Sequence, residues 1–403
     1  MIANKNTINV VHSVNNVGKS SYGLGQISVS LAKNQSSLGL KNSVWTFSSD
    51  EEILWASQNH KYDIDSFRKI NEGCKINNII KSFQPSLINK NTKIEIVHQH
   101  GIWAENSFLT LSLKKKCNAK TVIAVHGSLS QLALEKSKYK KKLALLTYEG
   151  YNLKNASVLH ATSMYEIDDY RRLGLKNPIA YIDNGIDRKE LNIKGNADLF
   201  IDKYKLPINK RKLLYLSRIT PKKGLEMLLN AIKEIENSFN DWILIIVGND
   251  EFNYQKKVED LIKELNLSDK VFIIEPQFGN AKYDAFAAAD FFILPSYSEG
   301  SPMVILDSLA SGTPVITTKS SSWENLNIFD CGYWVDINQK AIEKSLLEMT
   351  ALSKEDLIFK GDNAIRLINE KYLWEDIAKK TILLYEWLLT ESDLYKPDFI
   401  ILK

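Results

Sequence analysis

The stretch that decides the fold spans residues 291–315 and reads FFILPSYSEGSPMVILDSLASGTPV. Its apolar start, Phe291–Leu294, predicts a buried strand that ends at the following proline. A loop of small residues holds Glu299 and leads into a helical pattern, with Pro302 near the first turn, where proline is tolerated. Asp307 lies about two turns into that helix. Two carboxylates on this frame can face one pocket at the carboxyl edge of a sheet, beside a helix N-terminus that favours anions.

This segment resembles the Glu-x7-Glu motif of the family-4 retaining glycosyltransferases, which are nucleotide-sugar enzymes of the GT-B fold. Glu299 matches the first acid, and the flanking Pro-Ser and Ala-Ser-Gly-Thr-Pro-Val make the match specific. Asp307 stands where the family usually has the second Glu, so it offers a ribose diol two acceptor oxygens from a side chain one methylene shorter. On its own, Glu-x7-Asp would also fit an ordinary strand-loop-helix unit with two exposed acids.

The length and the composition of the chain predict a globular protein with two domains. The chain has 403 residues, and its contents of 44% hydrophobic and 25% charged residues are ordinary. A formal charge of +4 is mild and gives no indication of nucleic-acid binding. Cys74, Cys117 and Cys331 lie too far apart for a metal site or a disulfide framework, which indicates a reducing cytosol. No signal-peptide core or membrane-spanning apolar run is present, so we expect a cytoplasmic protein that can touch a membrane.

The N-terminal strand is followed by a glycine-containing loop. Gly18, Lys19 and Ser20 suggest a P-loop, but that motif needs a glycine five residues earlier, where this chain has Ser13. The favoured interpretation is a strand, a flexible loop and then a helix. The loop with Gly23 and Gly25 resembles the N-terminal glycine-rich loop of the family, which lets the backbone approach the donor or the acceptor.

The rest of the first half alternates strand-like runs with longer segments. This alternation predicts a parallel sheet that is covered on both faces. The predicted strands are Ile8–His12, Ser43–Phe47, Ile94–His98, Thr121–Val125, Val158–Ala161 and Ile179–Ile182.

Three histidines come near predicted strand ends. A single histidine is more often structural than catalytic, so His98 and His100 are ligand candidates of lower rank. The resemblance implies a catalytic role for His126, because Val-x-His-Gly at a strand end is similar to the family's histidine beside the donor sugar. His100 and Trp103, in the sequence HQHGIW at 98–103, are candidates for the acceptor side.

Residues Lys114–Lys142 carry nine lysines and a single glutamate. One interpretation is a solvated helix face. The other is a basic, partly amphipathic surface that docks on anionic lipid, which would suit an acceptor anchored in the cytoplasmic leaflet.

The second half repeats the strand-helix alternation. Arg218 follows the predicted strand Leu213–Leu216, and Lys223 precedes a helix, so both lie where a diphosphate would bind. Further strands are predicted at Trp242–Val247 and Val271–Ile274. The resemblance implies that the donor diphosphate contacts the Arg/Lys pair. It also implies that the donor is held by a wider set of residues, namely Arg218, Lys223, Gly248, Phe278, Glu299, Ser301, Met303, Val304 and Asp307, with Lys282 as a weaker candidate.

The resemblance implies an α/β architecture with two Rossmann-like domains facing across a cleft. We expect an N-terminal acceptor domain at 1–205 and a nucleotide-sugar domain at 206–375. The resemblance also implies that the remaining residues, 376–403, form a helix and tail that return to the N-terminal domain, as in GT-B enzymes. The predicted buried stripe of this helix comprises Ile377, Thr381, Leu384, Tyr385 and Leu388.

The predicted activity is the retaining, metal-independent transfer of a hexose-type sugar from a nucleoside-diphosphate sugar, with UDP or GDP as the nucleotide. The acceptor would be a glycan or a lipid-linked sugar in the assembly of a bacterial surface polysaccharide such as O-antigen, capsule or lipopolysaccharide. Catalysis would involve His126, Arg218, Lys223 and Glu299, without a metal or other cofactor. A sugar-nucleotide epimerase on the same fold and a non-catalytic partner subunit remain as alternatives.

Overall fold

A computed structural model describes residues 8–21, 23–70, 93–390 and 396–402 of the chain. Its contacts divide the chain into two compact units. Unit 1 comprises Met1–Gly185 together with Trp374–Lys403, and unit 2 comprises Ile186–Leu373. Cys74 lies outside the described residues.

Unit 1 is built on a sheet in which neighbouring strands run parallel, apart from an antiparallel strand at one edge. The strand order is β14-β7-β6-β5-β4-β1-β2-β3. The strands are β1 (Asn9–Val14), β2 (Lys41–Thr46), β3 (Phe67–Lys69), β4 (Ile96–His100), β5 (Lys120–Ala124), β6 (Val158–Ala161), β7 (Ile179–Tyr181) and β14 (Ile400–Ile401).

Helices lie between most of the successive strands that the structure describes in unit 1, since parallel neighbours need crossover connections. They are α1 (Leu24–Ser37), α2 (Asp50–His60), α3 (Glu105–Cys117), α4 (Gln131–Glu135), α5 (Lys138–Leu146), α6 (Tyr148–Lys154), α7 (Met164–Arg172) and α16 (Trp374–Thr390). Two short 3-10 helices lie at Lys19–Ser21 and Ile64–Ser66. Helix α2 illustrates why these segments start where they do, because Ser49 and Glu52 form a reciprocal capping box at its N-terminus.

Unit 2 contains a parallel sheet with the strand order β10-β9-β8-β11-β12-β13. The strands are β8 (Arg211–Leu216), β9 (Trp242–Val247), β10 (Val271–Ile274), β11 (Phe291–Leu294), β12 (Val315–Thr318) and β13 (Gly332–Val335). The helices are α8 (Ala197–Tyr204), α9 (Leu225–Glu234), α10 (Tyr254–Glu264), α11 (Asn280–Ala288), α12 (Met303–Ala310), α13 (Asn325–Ile328), α14 (Gln339–Thr350) and α15 (Lys354–Lys371), and 3-10 helices lie at Arg188–Asn192 and Pro221–Lys223.

The core of unit 2 explains the apolar runs in its sequence. Every residue of β9 and β11 is buried, because helices cover both faces of a parallel sheet. Cys331, adjoining β13, is fully buried in this core, which agrees with a packing role. The two α/β units with parallel, Rossmann-like sheets confirm the predicted fold class.

The predicted strands agree closely with the observed ones. Val158–Ala161, Trp242–Val247, Val271–Ile274 and Phe291–Leu294 have the predicted bounds. The strand that was expected to end at His98 extends instead to His100. His98 is therefore an internal, fully buried strand residue and not a strand-end residue.

The position of Asp307 in its helix and the boundary between the two units differ from expectation. Helix α12 begins at Met303 after Pro302, so Asp307 lies in its second turn and not two turns in. Residues 186–205 have their contacts in unit 2, although the sequence suggested a boundary at 206. Helix α8 packs on α11, and the Asn196 N–H donates to Asp284 Oδ1 at 2.7 Å, which holds this segment on unit 2.

The C-terminal helix α16 is part of unit 1 and packs against α1. Its predicted apolar stripe is buried, including Thr381, Leu384 and Tyr385. No helix within the described ranges combines the length and the hydropathy needed to cross a membrane.

Gly224 provides a test of loop packing in unit 2. Its φ is +75°, and a Cβ added there would meet the Pro295 carbonyl oxygen at 2.0 Å. Gly312 has a similar φ of +72°, but its added Cβ would approach Ile365 Cδ1 at 3.4 Å. We expect Gly312→Ala to cost about 1 kcal/mol for the positive φ, and Gly224→Ala to cost at least ~1 kcal/mol more for the clash. Urea-induced unfolding of both variants measures the difference, and equal losses of stability would contradict the packing described.

Candidate functional site

The loops that follow β8, β9 and β11 carry several charged side chains of unit 2. These strands are neighbours in the order β9-β8-β11, so the loops at their carboxyl ends meet at one edge of the sheet. The first loop carries Arg218, Lys222 and Lys223, the second carries Glu251, and the third carries Glu299. In parallel α/β sheets this edge is where ligands bind.

A buried ion pair joins two of these loops. Lys223 Nζ donates to Glu299 Oε1 at 2.6 Å, and the two side chains are 8% and 10% exposed. Burial alone would raise the pKa of Glu299, but the charges of Lys223 and Lys222 outweigh it, so its pKa is lowered. Glu299 is therefore ionised at neutral pH.

Two further cations surround this pair. Arg218 donates to Glu251 Oε1 at 2.6 Å and is more exposed than Lys223. Burial lowers the pKa of Lys222, the charge of Glu299 raises it, and those of Lys223 and Arg218 lower it further. Three cations thus influence one another across a short distance and are opposed by two acids. An anionic ligand would be stabilised by this excess of positive charge.

The backbone around Lys223 fixes its position. Pro221–Lys223 forms a single 3-10 turn, and Gly224 closes the turn in the left-handed conformation. The Tyr297 N–H donates to the Lys222 carbonyl oxygen at 2.9 Å, and the Glu299 N–H donates to the Ser320 carbonyl oxygen at 3.0 Å. Backbone hydrogen bonds therefore hold the loops on both sides of the ion pair at the sheet edge.

Asp307 belongs to a second cluster of unit 2. Lys282 Nζ lies 2.7 Å from Asp307 Oδ1 and 3.7 Å from Glu190 Oε2, and Tyr283 Oη donates to Glu190. Burial would lower the pKa of Lys282, but the charges of Asp307 and Glu190 raise it overall. Burial raises the pKa of Glu190, and the charge of Asp307 adds to the effect. Lys282 therefore stays protonated and neutralises the carboxylate of Asp307.

The other donor-side candidates lie at the same sheet edge or near it. Gly248 packs so closely on the loop after β8 that an added Cβ would meet the Ser217 carbonyl oxygen at 1.8 Å. Phe278 is exposed on the loop after β10. Ser301, Met303 and Val304 surround the start of α12, where Pro302 has no N–H to donate.

Five of the histidines of unit 1 lie in one continuous cluster. Four of them, His12, His98, His100 and His160, are buried in β1, β4 and β6, and His126 is half-buried in the loop just after β5. The His98 and His100 rings lie 4.4 Å apart between centroids, and those of His100 and His126 lie 5.7 Å apart. The sequence highlighted His98, His100 and His126, and the structure brings them together.

Two candidate residues of unit 1 have unusual backbone conformations. Trp103 has a φ of +73° and His126 a φ of +50°, although neither is glycine. Non-glycine residues in the left-handed region store strain and are enriched at functional sites. Gly23, with a φ of +99°, precedes α1, and Gly25 lies against the Asn16 carbonyl oxygen, so the predicted glycine loop does require glycine at these positions.

Two buried carboxylates hold the loops that carry these residues. Glu149 accepts hydrogen bonds from the Trp103 N–H at 3.0 Å and from Ser107 Oγ at 2.8 Å. Glu166 accepts from the backbone N–H groups of Gly127 and Thr162. Burial raises the pKa of both glutamates, and the hydrogen bonds offset part of that effect.

Sequence reasoning missed several residues that complete these clusters. Lys222 directly precedes Lys223 and His12 ends a predicted strand, so both could have been noticed from the sequence. For the partners that come from distant parts of the chain, no local signal indicated these contacts. These partners are Gln35, Glu149, Glu166, Glu190, Glu251 and Tyr385.

Both halves of the chain match glycosyltransferase family models. Residues 23–190 match Glycosyltransferase Family 4, and residues 196–360 match Glycosyl transferases group 1. An uncharacterized glycosyltransferase of Methanocaldococcus jannaschii is 25% identical over 309 residues, which are 73% of this chain and 75% of that protein.

Two further similarities come from bacteria. The lipopolysaccharide 1,2-N-acetylglucosaminetransferase of Salmonella typhimurium is 26% identical over 203 residues, which are 48% of this chain and 49% of that enzyme. The crystal structure of Anabaena HepE in complex with UDP and glucose superimposes with a TM-score of 0.70 at 15% identity, over 96% of this chain and 100% of that one.

The buried histidines predict acid sensitivity. Burial lowers the pKa of His12 and His160 to about 4 and that of His126 to about 3. In the unfolded chain these groups return to about 6.5, so between that pH and about 4 the unfolded state binds more protons. The free energy of unfolding should therefore fall as the pH falls through this range.

Urea unfolding at several pH values from about 7 to about 4.5 measures this slope. His126→Asn should flatten it by up to about 1.4 kcal/mol per pH unit, the contribution of one proton. Identical slopes for the wild type and His126→Asn would show that His126 is not held neutral by folding.

Proposed function

We propose that this chain, a glycosyltransferase of the GT-B type, transfers a hexose-type sugar from a UDP- or GDP-sugar to a glycan or lipid-linked acceptor with retention of anomeric configuration. The process would be the assembly of a bacterial surface polysaccharide at the cytoplasmic face of the membrane. The name of the Salmonella relative, a lipopolysaccharide N-acetylglucosaminetransferase, supports a role of this kind. The UDP and glucose bound by HepE support a nucleotide-sugar donor.

The observation that carries this proposal is the buried pair of Lys223 and Glu299 within a cluster of cations. When a nucleoside diphosphate leaves the sugar, negative charge grows on the leaving phosphate and positive charge grows on the ring. Arg218, Lys222 and Lys223 offer fixed positive charge to the phosphates, and such preorganised electrostatics are often the largest catalytic term. The same cations supply the charge that a divalent ion would otherwise provide, which supports a metal-independent reaction.

Glu299 has a role that its ion pair makes possible. Because its pKa is lowered, it is an acceptor for sugar hydroxyls and carries negative charge close to the developing positive ring. Donor binding then brings phosphate oxygens to Lys223, which gives this lysine a second anionic partner beside Glu299. Positively charged and negatively charged groups are thus held on one rigid edge before the substrate arrives.

Asp307 and Lys282 are proposed to hold the ribose. Asp307 offers carboxylate oxygens to the two ribose hydroxyls, and Lys282 offers N–H donors to the same diol. The lysine lies close enough to compensate in part for the shorter side chain of Asp307. Gly248, Phe278, Ser301, Met303 and Val304 complete the proposed donor set.

The sugar and acceptor contacts of unit 1 follow from the strained loops. His126 is proposed to contact the donor sugar as a neutral imidazole, because burial keeps its pKa low. Gly23, Gly25, His100 and Trp103 are proposed to contribute to the acceptor side.

Variants of the ion pair test the donor site. We expect Glu299→Gln and Lys223→Ala each to lower turnover by at least ~10²-fold, the scale of one lost transition-state contact. Each change leaves a buried charge without its partner, which costs about 3–5 kcal/mol, so stability is measured alongside activity. Release of nucleoside diphosphate from UDP- and GDP-sugars, with polyprenyl-diphosphate-linked sugars as acceptors, gives the rate.

A double variant separates activity from folding. Lys223→Met with Glu299→Leu removes both charges and should regain much of the lost stability while remaining inactive. Lys233→Ala, which breaks a half-exposed pair with Glu236 in the same unit, is the control that keeps wild-type turnover. Wild-type rates in Glu299→Gln would remove this residue from the mechanism. Conversion of the donor without any acceptor would identify an epimerase, and donor binding without any turnover would identify a partner subunit.

Helix α5 supports the proposed contact with an anionic membrane within Lys114–Lys142. Its apolar side chains Tyr139, Leu143 and Leu146 are 87%, 64% and 75% exposed. Their spacing puts them on one face of the helix, while Ala144 is buried. Lysines flank this face on both sides, as in helices that lie on an anionic lipid surface.

Vesicle co-sedimentation tests the membrane contact. We expect binding to vesicles of phosphatidylcholine with phosphatidylglycerol, weaker binding to phosphatidylcholine alone, and a decrease with salt. Leu143→Ser with Leu146→Ser should weaken binding, because less apolar surface enters the lipid. Ile208→Ser, which changes a 79% exposed side chain of unit 2, is the matched control. Equal binding to both vesicle types would contradict the electrostatic contact.

A further inference from the structure

Six side chains of unit 1 form a continuous chain of hydrogen bonds, which we call the histidine chain. Its members, in order, are His160, His98, Tyr385, Gln35, His12 and His100. They come from β6, β4, α16, α1, β1 and again β4, and all six are buried. Such a network can be read as a sequence of donors and acceptors, because each neutral imidazole has one of each.

The direction of the histidine chain is set at one end by a backbone carbonyl. His160 Nε2 lies 2.8 Å from the Ile182 carbonyl oxygen, which can only accept, so His160 carries its proton on Nε2. His160 Nδ1 is then an acceptor and receives the Nε2–H of His98 at 3.1 Å. His98 Nδ1 is in turn an acceptor and receives the hydroxyl proton of Tyr385 at 2.7 Å.

The direction of donation stays the same from Tyr385 to His100 in the histidine chain. The hydroxyl hydrogen of Tyr385 is donated to His98, so the Tyr385 oxygen accepts a hydrogen bond from Gln35 Nε2 at 3.3 Å. The amide oxygen of Gln35 therefore faces His12 and accepts its Nε2–H at 2.8 Å. His12 Nδ1 then accepts the Nε2–H of His100 at 3.0 Å. Each group in the series donates toward the Ile182 carbonyl, without a break in direction.

The histidine chain ends at His100 Nδ1, which carries no proton because the proton of this ring is on Nε2. Nδ1 therefore has a lone pair that can accept a hydrogen bond. This atom is buried and has no hydrogen-bond partner among the described residues. His126 Nε2, on the neighbouring ring, is likewise buried and unpartnered within the described part of the chain. An unpaired buried acceptor is costly, and a ligand that donates a hydrogen bond would satisfy it.

We propose that His100 Nδ1 is the hydrogen-bond acceptor for a hydroxyl group of a carbohydrate ligand in unit 1, and that the histidine chain holds it in that role. The choice of a carbohydrate rests on the proposed glycosyl transfer, whereas the acceptor character of Nδ1 follows from the hydrogen bonds alone. His12, Gln35, His98, His160 and Tyr385 are positioning residues, since each acts through its neighbour.

The geometry favours a hydroxyl over a metal ion. His12, His98 and His100 each have a nitrogen within 4.8 Å of the others, which is a spacing that metals use. The His98 and His100 rings, however, are stacked at an interplanar angle of 25°, so their in-plane lone pairs run side by side and do not converge on one point. The facing nitrogens of His12 and His100 are also bonded directly to each other.

The geometry also favours binding over proton abstraction. A proton taken up at His100 Nδ1 would place a charge beside the four other imidazoles of the cluster, and burial keeps the pKa of His100 well below its usual value. His100 therefore orients the ligand hydroxyl group by accepting its proton in a hydrogen bond, so the lone pairs of the hydroxyl oxygen point away from the imidazole. His100 does not remove the proton as a general base.

Ring-nitrogen NMR of the full-length protein, labelled with ¹⁵N-histidine, tests the tautomer without any substrate. Each signal is assigned by loss in the corresponding single variant. We expect His12, His98, His100 and His160 as Nε2–H tautomers near neutral pH, with His100 Nδ1 unprotonated. A proton on His100 Nδ1, or signals from bound metal that chelation abolishes, would overturn the proposal.

Titration with methyl glycosides of glucose, galactose and mannose then tests the ligand. We expect one of these probes to shift the Nδ1 signal of His100 while leaving that of His160 little changed. No response of His100 to any of the probes would contradict a carbohydrate site here. Because donor binding is measured separately, as a thermal shift with UDP and GDP, failure of the sugar site is distinguishable from failure of the proposed transferase.

Two substitutions distinguish a specific acceptor from general packing. His100→Asn keeps an amide oxygen near the position of Nδ1, whereas His100→Gln extends its amide toward Nε2. We expect His100→Asn to retain probe binding and His100→Gln to weaken it by at least ~10-fold, the scale of one hydrogen bond. His60→Asn, at a buried histidine bonded to Ser30 in the same unit, is the control. Equal probe affinity in His100→Asn and His100→Gln would assign His100 a packing role only.

Discussion

The ion pair between Lys223 and Glu299 is the interaction on which the site of unit 2 depends. It joins residues 76 positions apart in sequence, and it can form because β8 and β11 are neighbours in a parallel sheet. Each partner offsets part of the desolvation free energy of the other, since an isolated charge at this depth would be strongly disfavoured. The close approach of Gly224 to the Pro295 carbonyl holds the two loops at the separation that the pair requires.

The fold could be predicted because its strands are short apolar runs with clear ends. Strands such as Trp242–Val247 are buried on both faces, so each residue contributes to the signal. The closeness of Lys223 and Glu299 could be inferred from the sequence for a related reason. Lys223 and Glu299 each follow such a run, and the carboxyl ends of parallel strands meet at one edge. The strand end at His98 was misplaced by two residues, because His98 and His100 are polar yet buried.

The remainder of the candidate site could not be predicted, because its members contact one another across large separations in sequence. His98 and Tyr385 are 287 residues apart, and Gln35 and Tyr385 are 350 residues apart. No local pattern marks Gln35 as a partner of a histidine, and Tyr385 was recognised only as part of an apolar stripe. Glu190 escaped notice for a further reason: it lies before the expected domain boundary, yet its contacts belong to unit 2.

The return of α16 to unit 1 also has a consequence for biosynthesis. Unit 2 is one uninterrupted segment, so all of it has been translated before Trp374 is added. The contacts of unit 1 are incomplete until its C-terminal helix is made, because before Tyr385 leaves the ribosome His98 lacks its hydroxyl donor and α1 lacks one of its packing partners. Domains of nascent chains usually fold from the N-terminus onward. In this protein the sequence of unit 2 is complete before that of unit 1, although the synthesis of unit 1 begins first.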